Sequence, residues 1–212
     1  MKKFFAFVLS ALIMTASFQT VSAQALSKAM KKEYKVKMKQ LKKEKWELFG
    51  SSRTLEVVLL NYYEALGSSE NVREIMGYAP HFNSKSVGHQ TAINDACRTY
   101  AQQCGSTVKG RIDSDLASDG SDVTSEFEHF YAAYERLVEK EIQGELVEKF
   151  SLIRQVGKEK GQVIYEMQTF FLVDEDAATK ARIRAYENAL KESEAAQKYA
   201  TKVSDFVKEG FE

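Results

Sequence analysis

Two runs of alternating apolar and polar residues, joined by a turn, constrain the fold of this chain most strongly. The runs cover residues 146–156 and 162–173, and Gly157-Lys158-Glu159-Lys160-Gly161 lies between them. A period of two is typical of β-strands, because successive side chains point to opposite faces of the sheet. The second run becomes apolar on both faces near its end, which favours a central strand. The chain is therefore predicted to contain an antiparallel hairpin.

Apolar residues elsewhere mostly recur with the helical period of 3.6. Helices are predicted over residues 53–66, 86–112, 124–143 and 175–208, the last as one helix or a pair. Residues 72–79 are predicted to form a strand that ends before Pro80, the only proline of the chain, and residues 113–123 a polar loop. The predicted fold class is α+β, with a small, mainly antiparallel sheet packed against amphipathic helices and an N-terminal helical arm.

The first 23 residues have the layout of a secretory signal peptide. Two lysines precede an apolar run from Phe4 to Met14, and Val21-Ser22-Ala23 places small residues where signal peptidase cuts. The apolar run is too short to span a bilayer comfortably. We therefore expect cleavage before Gln24, a periplasmic or secreted location in the bacterial cell envelope, and no lipid attachment at the cleavage site, which lacks a cysteine.

Charge is unevenly distributed along the chain after the predicted signal peptide. Residues 24–46 carry nine lysines against Glu33 and Glu44, whereas the chain from residue 47 onward carries 19 basic and 28 acidic residues. We divide the chain into a signal peptide (1–23), a lysine-rich helical arm (24–70) and an α+β envelope domain (71–212). Apolar spacings of three and four predict a helix near the start of the arm, although residues 34–39 also alternate like a strand.

The basic arm is the feature with the clearest functional potential. Three alternatives exist for the arm. Its narrow apolar stripe could dock on the acidic body, or its lysines could lie on an anionic membrane surface while Trp46 inserts into it. The arm could also bind an acidic partner. The candidate contact residues are Lys31, Lys35, Lys39, Lys42 and Trp46. Envelope components, another protein or a second copy of the chain are the partners considered. Nucleic acid is not expected for an exported protein with an acidic body.

Patterns that usually indicate catalysis or metal binding do not occur. The three histidines, His81, His89 and His129, are not paired at a ligand spacing, and no Gly-x-Ser-x-Gly motif occurs. The acidic stretch 113–122 does not fit the ligand frame of a calcium loop. We therefore expect no enzyme, no metal and no cofactor.

The two cysteines are predicted to be buried thiols. Cys97 and Cys104 lie seven residues apart in a predicted helix, which places their Cα atoms roughly 10 Å apart, beyond the about 4.4–6.8 Å of a disulfide. A bridge between chains, or a helix broken near Gly105, remains the alternative.

The order of elements from residue 72 to residue 190 resembles the LPP-twenty lipoprotein family of bacterial cell envelopes and its secreted relatives. The resemblance is carried by the strand REIMGYA, the small-residue helix AINDACRTYAQQC, the hairpin described above and the helix AATKARIRAYENAL. The segment KKEKWELFGSSRTLEVVLLNYYEAL is similar to a Trp-Gly-Ser lead-in of the secreted relatives. The resemblance implies helices packed on a small antiparallel sheet, an envelope location and no established enzymatic activity. The chain lacks the family's lipobox cysteine, so acylation does not carry over.

These observations predict a non-enzymatic secreted or periplasmic envelope protein with a binding or structural role. Two alternatives stay open. One is a peripheral membrane-surface protein that acts through the basic helix 25–46, and the other is a hydrolase with a dispersed active site.

Overall fold

An antiparallel hairpin forms the centre of the fold. The computed structural model of the chain describes residues 27–118, 126–193 and 196–197, and the predicted signal peptide lies outside them. In chain order the described elements are α1 (Lys28–Lys43), β1 (Glu47–Phe49), α2 (Leu55–Gly67), β2 (Val72–Phe82), α3 (Lys85–Ser118), α4 (Glu126–Ile142), β3 (Val147–Glu159), β4 (Gln162–Asp174) and α5 (Glu175–Lys191). The predicted α+β class is confirmed.

The four strands form one antiparallel sheet in the order β1-β3-β4-β2. The hairpin β3–β4 turns at Lys160 and Gly161, which both adopt positive φ angles. β4 lies between β3 and β2, so the prediction that the second strand of the hairpin is central is confirmed. β1 pairs three residues of the predicted arm with Ser151–Ile153 of β3, so the arm and the body share one sheet.

One face of the sheet, here called the alanine face, is covered by α3, α4 and α5. Ile75, Phe171 and Val173 of the sheet pack there against small and aromatic side chains of the three helices. The buried small residues are Ala96, Ala101, Ala133, Ala178, Ala181, Ala185 and Ala189. At Gly77 of β2 a Cβ atom would overlap the carbonyl oxygen of Ala92, so α3 lies directly on the strand.

The opposite face, here called the aromatic face, is covered by α1 and α2. Phe150 and Phe170 stack there with their ring centroids 4.6 Å apart, and Tyr62 of α2 meets both rings edge-on. Leu41 and Trp46 complete this cluster from the arm. The cover is incomplete, since Met76 of β2 remains 41% exposed.

Two predicted boundaries are wrong. β2 continues through Pro80 to Phe82, because it is an edge strand and the missing N–H leaves no ladder bond unmade there. α3 continues through residues 113–118, which were predicted as loop, and Asp113 accepts a hydrogen bond there from the hydroxyl of Tyr131 on α4. The remainder of that predicted loop, 119–123, lies outside the described residues.

α5 ends at Lys191, so the predicted range 175–208 does not form one continuous helix. The N–H of Glu192 closes the last turn by donating to the carbonyl oxygens of Ala189 and Leu190. Residues 196–197 are again helical, and residues 198–212, which include the predicted limit at residue 208, lie outside the described part of the chain.

Candidate functional site

The candidate site is the outer surface of helix α1. Ser27 begins the helix by accepting a hydrogen bond on its Oγ from the Met30 N–H at 3.2 Å. Lys42 and Lys43 in the last turn complement the negative end of the helix dipole. Lys28 lies in the first turn, which contains no acidic residue, so its charge opposes the dipole there. Helix stability therefore does not explain why lysines continue along the whole helix.

The apolar side of α1 is docked in the core. Met38 is 9% exposed and Leu41 is 1% exposed, and Tyr34 meets Tyr63 of α2 edge-on with 6.2 Å between ring centroids. The helical interpretation of residues 34–39 is thus confirmed over the strand alternative. Docking also fixes which side of α1 faces solvent.

Trp46 belongs to this core and not to the surface. Its side chain is among the buried members of the aromatic cluster, its Nε1 donates to Glu44 at 3.0 Å, and the guanidinium of Arg154 lies 4.6 Å from the ring centroid. This corrects the expectation that Trp46 contacts a membrane or a partner. Trp46 follows the end of α1 at Lys43, so the helical spacing that predicts burial of Met38 and Leu41 does not extend to it.

Seven of the eight lysines of α1 lie on one side of the helix. At about 100° per residue they fall within a sector of about 120°, adjacent to the docked side. All seven are exposed, and we call this surface the lysine face. Its members are Lys28, Lys31, Lys32, Lys35, Lys39, Lys42 and Lys43. Lys37 lies outside the sector, with its Nζ 5.2 Å from the ring centroid of Phe170.

Little negative charge balances the lysine face. Lys42 pairs with Glu56 of α2 at 2.6 Å, and this hydrogen bond raises the pKa of Lys42. Within the described residues, no ion pair reaches Lys31, Lys35 or Lys39. The structure therefore places four of the five predicted contact residues on one exposed, positively charged surface.

A polar chain of side chains lies at the edge of the sheet, away from the lysine face. Nε2 of His89 lies 3.0 Å from both carboxylate oxygens of Glu148, and Ser151 donates to Glu148 at 2.6 Å. The Ser151 hydroxyl also meets the buried hydroxyl of Thr169 at 3.0 Å. Sequence analysis missed this cluster, because His89 and Glu148 are 59 residues apart and the members share no motif.

The order of these groups does not suit nucleophilic catalysis. The carboxylate lies between the imidazole and the hydroxyl, so His89 cannot take the proton of Ser151 directly. His81 lies elsewhere, exposed and 3.7 Å from Glu159. The part of the chain that the structure describes holds no group of three or more histidine, cysteine or acidic side chains suited to a metal.

The two cysteines are free and buried, as expected from their spacing in α3. Burial raises the pKa of both Cys97 and Cys104 to about 11. Since the thiolate is the reactive form, both thiols are unreactive in the folded protein. They act as small apolar side chains against the alanine face.

Comparisons with protein-family models, curated proteins and solved structures found no match. The resemblance to the LPP-twenty lipoprotein family therefore stays a prediction. Among the described helices, none combines the length and the apolar character needed to cross a bilayer.

Proposed function

We propose that this protein is a non-enzymatic, exported protein of the cell envelope that binds an anionic membrane surface through its lysine face. The observation that carries the proposal is the one-sided placement of seven exposed lysines on a helix whose other side is fixed in the core. A helix that is only solvated does not need its lysines on one side. A flat polyanionic surface, in contrast, can contact all seven lysines at the same time.

The dimensions of α1 suit a layer of lipid headgroups. Sixteen residues at about 1.5 Å each give a helix of about 24 Å, which spans several headgroups. A lysine near an anionic membrane contributes about 1 kcal/mol, so an array of this size supports reversible binding without a lipid anchor. Val57 and Leu60 of the neighbouring helix α2 are 45% and 38% exposed. These two apolar side chains favour a lipid surface over a soluble polyanion.

Docking of α1 decides how the membrane contact is made. Met38, Leu41 and Trp46 are packed in the core of the aromatic face, so these side chains are not free to insert between acyl chains. Binding is therefore electrostatic, with the axis of α1 parallel to the surface and the sheet behind it. Such binding weakens as salt screens the lysines.

The non-enzymatic part of the proposal is supported by the chemistry of the available groups. The cysteines are buried and unreactive, and the His89–Glu148–Ser151 arrangement lacks direct contact between base and hydroxyl. Turnover of a substrate by the purified protein, abolished by His89→Ala, would refute this part independently of membrane binding.

The test is co-sedimentation of the exported, purified chain with vesicles of phosphatidylglycerol and phosphatidylcholine in equal amounts. The variant K31E/K35E/K39E is compared with K158E/K160E/K180E, which changes the net charge equally at exposed lysines elsewhere. All variants carry the same N-terminus, so a leader peptide cannot produce a difference between them. Deleting the arm would be uninformative, because Met38, Leu41 and Trp46 belong to the core.

We expect the variant of the lysine face to bind at least about 100-fold more weakly than the wild type, since three contributions of about 1 kcal/mol are lost and reversed. The control variant should bind within a few-fold of the wild type. Equal weakening of both variants would show that only net charge matters and would contradict the proposed surface.

A further inference from the structure

The two edge strands of the sheet differ in how well they are protected against pairing with another strand. On β2, the carboxylate of Asp95 from α3 accepts the backbone N–H of Tyr78 at 2.9 Å. Pro80 has no N–H to offer. A proline at the edge and a charged side chain that occupies an edge N–H both oppose further strand pairing. The β2 edge is therefore protected.

The β3 edge is protected only where β1 covers it. β1 pairs with Ser151–Ile153 and ends at Phe49. Gly50 then adopts a φ of +69° and turns the chain away before it can pair with Phe150. Within the described residues, no backbone hydrogen bond from another element reaches Val147–Phe150 on this side of β3. Residues 147–150 thus keep an open edge beside α2, with a register shift against β4 between Glu148 and Phe150, and residues 154–159 keep an open edge on the other side of β1.

A cleft of about 510 Å³ lies between this open edge and helix α2. Val58 and Ala65 of α2 and Phe150 of β3 supply its apolar lining, and Arg53 and Asn61 supply polar groups. A helix facing an open strand edge leaves room for one extended chain, whose backbone bonds to the strand and whose alternate side chains enter the cleft. The shape of the cleft thus specifies an extended peptide.

The charged side chains that line the cleft indicate which side chains the peptide carries. The Glu148 carboxylate, the one acidic side chain of the cleft lining, already has His89 and Ser151 as hydrogen-bond partners within the protein. Arg53 and Lys149 line the cleft, and among the described residues no ion pair reaches either of them. The unbalanced charge is positive, which favours carboxylate side chains on the ligand.

We infer that residues 147–150 of β3 accept an extended, acidic segment of a partner protein as an added strand, held between β3 and α2. The segment extends the sheet beyond Gly50, along the line that β1 leaves. Its backbone provides the affinity, its carboxylates meet Arg53 and Lys149, and its alternate apolar side chains contact Val58 and Phe150. This site is separate from the lysine face, since α2 lies between them.

The test uses a capped synthetic octapeptide of alternating valine and glutamate, titrated into the purified protein and followed by backbone amide NMR. We expect saturable shifts at residues 147–150 with a dissociation constant of about 1 mM or tighter, and no comparable shifts along β2. The matched control is the same peptide N-methylated at alternate residues, which keeps the charge but cannot complete the ladder. The control should leave residues 147–150 unshifted, even where it binds the lysine face.

Two variants test whether the peptide binds in the cleft. Asn61→Trp fills the cleft from an exposed position of α2 and should weaken the shifts at residues 147–150 at least tenfold. Leu60→Trp makes the same substitution next to it, outside the cleft lining, and should not. Thermal melting confirms that both variants fold. The inference is overturned if the octapeptide does not shift residues 147–150, if the N-methylated peptide shifts them equally, or if both tryptophan variants bind like the wild type.

Discussion

The two faces of the sheet are packed by opposite means, and the difference indicates where function lies. On the alanine face, small residues let α3 approach β2 closely, and three helices cover the surface. On the aromatic face, large rings fill the space beneath two short helices, and part of β2 stays exposed. Both proposed binding surfaces, the lysine face and the cleft beside β3, belong to the aromatic side. In the proposed function, the closely packed alanine face supports the sheet, and the binding groups lie in the α1–α2 layer and beside β3.

The largest expected effect tests the close contact on the alanine face. Gly77→Ala places a Cβ against the carbonyl of Ala92, a backbone atom that cannot move without shifting α3. We expect a loss of about 3 kcal/mol or more in the free energy of unfolding, measured by chemical denaturation.

Gly110→Ala in α3 is the matched control for that substitution. A Cβ at Gly110 meets no atom within 4 Å, and alanine favours helix over glycine by about 0.5–1 kcal/mol. The control should therefore stabilise the protein. If Gly77→Ala were tolerated as well as Gly110→Ala, the close packing of α3 on the sheet would be wrong.

A smaller effect tests the aromatic face through its pH dependence. Burial raises the pKa of Glu74, whose carboxylate accepts a hydrogen bond from the hydroxyl of Tyr62, while Lys37 lowers this pKa and Glu33 raises it. Because the folded state holds this proton more tightly than the unfolded state, the side chain contributes stability at low pH. That contribution is lost as pH rises from about 4.5 through the folded pKa.

Glu74→Gln removes this dependence. Relative to the wild type, the variant should gain stability as pH is raised from about 4 to 7, measured by denaturation at each pH. Lys37→Met should make the pH dependence steeper than in the wild type, since the lysine that favours the ionised carboxylate is lost. If the stability of Glu74→Gln relative to the wild type fell as the pH was raised, the described environment of Glu74 would be wrong.

Sequence analysis predicted the features that depend on local periodicity. The hairpin and the helical rows on α2, α3, α4 and α5 repeat often enough for the buried face to be recognised. β1 was not predicted as a strand, because three residues are too few to show a period of two. The continuation of β2 through Pro80 was missed for another reason, since tolerance of proline depends on the strand's place at the edge of the sheet.

In the candidate sites too, residues that follow from local sequence were predicted, and those that depend on the tertiary structure were not. Lys31, Lys35, Lys39 and Lys42 were identified from charge alone, and their positions on one helical face follow from spacing. Trp46 was misassigned, because an aromatic residue beside a basic helix suits a membrane contact and a core contact equally well. The cleft beside β3 could not be predicted, because it depends on where Gly50 turns the chain and on how α2 lies across the strand.

The most direct test of the central claim uses Trp46, the only tryptophan of the chain. Its fluorescence is measured with phosphatidylglycerol vesicles whose acyl chains are brominated, while co-sedimentation reports how much protein is bound. We predict that the protein binds through its lysines while Trp46 stays in the core and its emission is not quenched. Quenching of Trp46 in proportion to binding, or no binding at low salt, would contradict the account.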